Sequence, residues 1–96
     1  VLWDAKTCKI VNNESSEIIR MFNAEFSAIA PPSPDYYPPA LRSEIDAMND
    51  FVLRGVNDAV NGCGRSTTQD AYNRSFHLLF QTLDSLEERL GRQPGR

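Results

Sequence analysis

Asn12-Asn13-Glu14-Ser15-Ser16-Glu17-Ile18-Ile19-Arg20-Met21-Phe22-Asn23 is the stretch on which the fold turns. Before it stand two short β-prone runs, Val1-Leu2-Trp3-Asp4 and Cys8-Lys9-Ile10-Val11, separated by Ala5-Lys6-Thr7. That spacing predicts a hairpin, although no glycine is there to set the turn type. Asn12 to Ser16 then supply capping residues, and Ile18, Ile19, Phe22 and Phe26 recur at three- and four-residue intervals. A helix from about residue 14 or 15 to about residue 26 is expected, with Trp3 in the core. Two strands alone are barely stable in water, so the hairpin needs a larger sheet to join.

Outward from this stretch the pattern changes twice. Five of the six prolines fall in Pro31-Pro32-Ser33-Pro34 and Pro38-Pro39. Each removes a backbone donor and restricts the residue before it, so residues 31–39 read as a stiff linker between two units. Beyond it, Leu41, Ile45, Met48, Val52, Val56 and Ala59 mark one amphipathic helix from about Pro39 to Val60. Asn61-Gly62-Cys63-Gly64 is expected to end that helix in a loop of six or seven residues. Thr67 or Thr68 should cap a second helix whose stripe is Tyr72, Phe76, Leu79, Leu83, Leu86 and Leu90, with Gly91 as its stop. A short connection makes the two helices antiparallel, packed stripe to stripe.

Composition narrows the function classes. The chain has 96 residues, 41% of them hydrophobic, and a net charge of −3, which argues against a basic nucleic-acid-binding surface. No run of eighteen apolar residues occurs, so no helical membrane span is expected. Two cysteines and one histidine give too few ligands for a zinc site. Cys8 and Cys63 read as free thiols in a reducing compartment, which points to the cytoplasm. The chain opens at Val1 on an apolar run with no lead-in, so a fragment of a longer protein is expected.

The junction at Asn13-Glu14-Ser15-Ser16 is where chemistry would sit. A helix start leaves backbone N–H groups without partners, and serine hydroxyls beside them make a ready place for a carboxylate or phosphate. Glu14 could meet an ammonium there. The plainer alternative is that Asn13 or Ser15 only caps the helix. Elsewhere the candidates are weaker. His77 reads as a partly exposed helix residue with no base partner, and Tyr36 and Tyr37 as aromatic packing against the proline-rich segment.

Read together, Val1-Leu2-Trp3-Asp4, the run Ile10 to Asn23, Asp35-Tyr36-Tyr37-Pro38 and Leu86-Glu87-Glu88-Arg89-Leu90 resemble the Xi class of glutathione transferases, the glutathionyl-hydroquinone reductases. The resemblance covers nearly the whole chain. It implies an α+β fragment: the final β-hairpin and helix of a thioredoxin-like domain, then two antiparallel helices of the all-α C-terminal domain. The implied boundaries are residues 1–30 for the glutathione-binding domain, 31–39 for the linker and 40–96 for the helical part.

The same resemblance makes Glu14 and Ser15 the glutathione ligands, holding the γ-glutamyl end. Glutathione is then a co-substrate, and the second partner is a quinone-derived or other electrophilic small molecule. A homodimer is an option for the intact protein, and neither nucleic acid, membrane nor metal is implied. The intact enzyme would use a thiol of a Cys-Pro motif to take glutathione from a glutathionyl-hydroquinone as a mixed disulfide, which a second glutathione would release. No Cys-Pro pair is in this chain, so no catalytic residue is expected in it and the chain alone should be inactive. The family usually reads Gly-Val-Tyr-Lys-x-Gly-Phe where this chain has Ala59-Val60-Asn61-Gly62-Cys63-Gly64-Arg65. That departure supports the alternative of a degenerate transferase-like domain acting as a non-enzymatic interaction or structural module.

Overall fold

The computed structural model describes residues 1–93. They form two compact units, Val1–Arg42 and Ser43 onward.

In the first unit, β1 (Leu2–Asp4) and β2 (Lys9–Asn12) pair antiparallel. The pairing runs Asp4 to Lys9, Trp3 to Ile10 and then Leu2 to Asn12, so a bulge falls at Val11. Asp4 organises the turn. Its carboxylate accepts the Thr7 hydroxyl at 2.6 Å and the Lys6 N–H at 2.8 Å. These bonds hold the Asp4 carboxyl below its ordinary value, the Thr7 hydroxyl contributing most. With no glycine available, Cys8 takes the left-handed conformation at φ 54, at roughly 1–2 kcal/mol for a side-chain-bearing residue. Trp3 corrects the expectation: it is 54% exposed rather than core. A two-stranded ribbon is too narrow to bury an indole.

Helix α1 (Ser15–Ala24) follows β2 after a two-residue junction. It ends two residues before the expected Phe26. Phe22 and Phe26 stack with centroids 5.2 Å apart, but Ile19 and Phe22 remain 66% and 61% exposed. The proline-rich segment is tied back to α1 by its end. Asn23 Nδ2 donates to Asp35 Oδ1 at 2.8 Å, and the Tyr36 N–H donates to Asn23 Oδ1 at 2.9 Å. Asp35 also accepts the Tyr37 N–H at 2.8 Å. Tyr37, expected to pack against the prolines, is met by cations. Two guanidinium groups lie over its ring, Arg20 at 4.4 Å and Arg42 at 5.0 Å from the centroid, a cation–π arrangement.

The Asn23 amide and the Tyr37 N–H, with a smaller contribution from the Arg42 charge, lower the Asp35 carboxyl below its ordinary value. A carboxyl lowered in the folded state stabilises above its unfolded pKa, and that stabilisation is lost as pH falls through the lower folded value. Asp35→Asn should therefore melt below the wild type at pH about 6, and the gap should close toward pH about 3. A gap that stays constant over that range would show that the carboxylate charge does not hold the clasp.

In the second unit one helical run carries the chain from α2 (Arg42–Val52) through a π-helical turn (Leu53–Asp58) into α3 (Ala59–Arg65). Pro39–Leu41 leads into it as a 3-10 turn. The stop expected at Asn61-Gly62-Cys63-Gly64 does not occur: both glycines are helical, and only residues 66–68 connect to α4 (Gln69–Gly91). Thr68 caps α4, its Oγ1 accepting the Ala71 N–H at 3.3 Å. Thr68→Ala should cost about 1 kcal/mol, read in the full-length protein as a melting-temperature loss of about 2–4 °C. A loss under about 1 °C would mean the cap is redundant.

Gly62 explains why the helix continues. A Cβ built on it would sit 2.5 Å from Ser75 Oγ, and one on Gly55 would sit 2.3 Å from Thr82 Oγ1. Both glycines are where the helical run and α4 come closest, so they are packing positions rather than breaks. Along the helical run the expected stripe is correct from Ile45 onward, where Ile45, Met48, Val52 and Val56 are half-buried and Ala59 is 3% exposed, but not at Leu41, which is 49% exposed. On α4 the covered line is turned by one residue. Ala71, Ser75, Leu79, Thr82, Leu86 and Leu90 are shielded, whereas Tyr72, Phe76 and Leu83 stay 40%, 38% and 39% exposed. Small residues, not the largest apolar ones, meet the glycines. At the far end Arg89 reaches Glu44 at 2.5 Å, an exposed ion pair worth about 0–1 kcal/mol.

Candidate functional site

The strand–helix junction of the first unit is built around Asn12. Its Oδ1 accepts the Glu14 N–H at 2.6 Å, and its Nδ2 donates to Glu17 Oε2 at 2.6 Å. Glu14 is the N-cap of α1, in extended conformation at φ −96 and ψ 110, but its side chain makes no capping bond. The Glu17 and Ile18 N–H groups both donate to the Glu14 carbonyl, at 3.1 and 3.0 Å. In this first turn only the N–H groups of Ser15 and Ser16 are left without a backbone partner among the described residues.

Neither Asn13 nor Ser15 caps the helix. Ser15 is the first helical residue, exposed, and its hydroxyl has no hydrogen-bond partner among the described residues. Glu14 is exposed beside it, touched only by the Ser16 hydroxyl at 3.4 Å. Among the described residues the junction therefore presents two unpartnered N–H donors and an unpartnered hydroxyl, beside an exposed carboxylate met by the Ser16 hydroxyl, all within one turn. Such a set can hold a carboxylate and an ammonium side by side, the anion favoured further by the helix N-terminus.

The other candidates stand apart from this junction. His77 is exposed on α4, edge-on to Phe76 at 6.0 Å. Cys8 lies in the hairpin turn and Cys63 in α3, both as free thiols. No group of three or more His, Cys, Asp or Glu side chains is arranged for a metal among the described residues. No described helix is long and apolar enough to cross a membrane. Sequence reading missed Asn12, whose only signal is an amide two residues before an acidic N-cap and five before a second carboxylate.

Comparison with known proteins gives this junction a context. The chain matches no family model. It is 47% identical over 91 residues to the glutathionyl-hydroquinone reductase YqjG of Escherichia coli, covering 95% of this chain and 28% of that protein. It is 48% identical over 90 residues to the glutathionyl-hydroquinone reductase PcpF of Sphingobium chlorophenolicum, covering 94% and 29%. Its structure superimposes on the glutathione-bound structure of YqjG with a TM-score of 0.92 and 46% identity, over 98% of this chain and 30% of that one. The crystal structure of the Xi glutathione transferase of Phanerochaete chrysosporium gives a TM-score of 0.89 at 48% identity, over 95% and 32%. Over the stretch it spans, the chain is similar in sequence and in fold to Xi-class glutathione transferases.

The chain spans a little under a third of the length of these curated relatives. Within that span the hairpin, α1 and the helical run with α4 match the end of a Xi-class thioredoxin-like fold and the start of its helical part.

Proposed function

We propose that this chain supplies the γ-glutamyl end of a glutathione site in a glutathione-dependent oxidoreductase of the glutathionyl-hydroquinone reductase kind. Residues 1–30 then belong to the thioredoxin-like domain, 31–39 to the linker and 40–96 to the helical domain. The observation that carries this reading is the open first turn of α1, where the Ser15 hydroxyl and the Ser15 and Ser16 N–H groups await an acceptor beside the exposed Glu14 carboxylate. The γ-glutamyl group of glutathione is a zwitterion. Its carboxylate suits the Ser15 hydroxyl and the helix N-terminus, and its ammonium suits Glu14.

Glutathione acts here as a co-substrate, and the second substrate is a quinone-derived or other electrophilic small molecule. This chain binds and orients. Neither of its cysteines stands at a strand-to-helix junction where a helix N-terminus would lower its pKa, so the nucleophilic thiol comes from elsewhere in the enzyme. Calorimetric titration of the full-length protein with glutathione tests the site, with Glu14→Gln and Ser15→Ala as the variants that should weaken binding. Wild-type affinity in both would remove the assignment.

A further inference from the structure

We infer that Asn12 is a positioning residue of the glutathione site, holding the Glu17 carboxylate away from the helix N-terminus so that the first turn stays open to the ligand. The inference rests on the reading of Glu14 and Ser15 proposed above. In an ordinary capping box the N-cap side chain accepts from the N–H three residues on, and the acidic side chain there accepts from the N-cap N–H. Here the N-cap is Glu14 and the third helical residue is Glu17. One half of the box, between the N-cap N–H and the acidic side chain, is intercepted by Asn12, and the other half is not made, the Glu17 N–H donating to the Glu14 carbonyl instead. The Asn12 amide oxygen takes the Glu14 N–H and its amide nitrogen takes the Glu17 carboxylate, each at 2.6 Å. The amide orientation is forced, because an N–H must meet oxygen and a carboxylate must meet N–H.

The consequence is electrostatic. A carboxylate in the first turn is drawn to the positive end of its own helix and to free N–H groups there. Left untethered, Glu17 would swing back to the Glu14 N–H, as in the ordinary box, and set its charge at the helix start in competition with a ligand carboxylate. Asn12 can restrain it because Asn12 is itself held: it is half-buried at the end of β2, paired opposite Leu2. Glu14, relieved of capping, keeps its carboxylate for the ligand.

The test is glutathione titration of the full-length protein carrying Asn12→Ala, Glu17→Ala or both, with melting temperatures measured alongside. Asn12→Ala should weaken glutathione binding about tenfold, the scale of one charge-assisted hydrogen bond yielded to a competing carboxylate. Adding Glu17→Ala should bring the affinity back to within about threefold of wild type without restoring the melting temperature. A purely structural role predicts the opposite, since the double variant keeps fewer of the native interactions. Glu17→Ala alone, which does not depend on Asn12→Ala folding, should leave affinity unchanged or tighter. Unchanged affinity in Asn12→Ala, no recovery in the double variant, or weakened binding in Glu17→Ala would each overturn the inference while the Glu14 and Ser15 site stands. A wild-type protein that does not bind glutathione would overturn that site, and this inference with it.

Discussion

Gly55→Ala should push the helical run away from α4 and lower stability by about 1–3 kcal/mol, the usual cost of overpacking. The new methyl would lie 2.3, 2.5 and 2.9 Å from Oγ1, Cγ2 and Cβ of Thr82. Rotating the threonine clears at most the first two, because its Cβ is fixed to the α4 backbone. Thr82 is also 4% exposed, with its hydroxyl committed to the Leu78 carbonyl at 2.8 Å. Alanine gains up to about 1 kcal/mol in helix propensity over glycine, so a net loss would report the clash itself. Two controls make the result specific. Gly64 has nothing within 4 Å of a built Cβ, so Gly64→Ala should be neutral or stabilise by about 0.4–1 kcal/mol. Thr82→Ala in the Gly55→Ala background removes the two closest atoms and should recover much of the loss. Thermal melts of the full-length variants decide it. A Gly55→Ala protein as stable as wild type would mean the helices are not held at this separation.

Ser15→Ala should weaken glutathione binding about ten- to a hundredfold, the loss of one hydrogen bond to a charged group at about 1.5–3 kcal/mol. Its melting temperature should hardly change, because Ser15 makes no side-chain hydrogen bond among the described residues and does not cap α1. That combination separates ligand from cap: a capping serine would lose stability and keep its affinity. Glu14→Gln removes the charge proposed to face the ligand ammonium and keeps an acceptor. Because Glu14 is exposed, its effect should shrink as salt rises, whereas the Ser15 effect should not. Calorimetry at low and high ionic strength reads both. Equal affinity in both variants and wild type would leave the junction as a helix start only.

Much of this protein is legible residue by residue. The hairpin, the polar junction and α1 follow from two β-prone runs, a cluster of polar residues and a helical repeat, all local signals. The Thr68 cap and the Gly91 end of α4 are equally local. So is the likeness carried by Asn13-Glu14-Ser15-Ser16, because a helix start that must offer donors and a carboxylate needs those residue types consecutively. The stripe Ile45, Met48, Val52, Val56 also follows from periodicity alone.

What failed did so where distance between elements, rather than order along one, is the deciding quantity. Periodicity ranks residues by hydrophobicity, so it turned Tyr72, Phe76 and Leu83 inward and read Gly62 and Gly64 as a stop. The helices instead approach at Gly55 and Gly62, and at such closeness only Ser75 and Thr82 fit opposite them. A glycine's absent side chain reads as a helix break in one dimension and as a close approach in three. The same holds at the junction. Sequence by itself determined which groups stand at the start of α1. Only the tertiary structure decided that they are free, because Asn12 is anchored in the sheet and can take both the Glu14 N–H and the Glu17 carboxylate. That partnership depends on where β2 ends relative to α1, a spacing in space that no local propensity encodes.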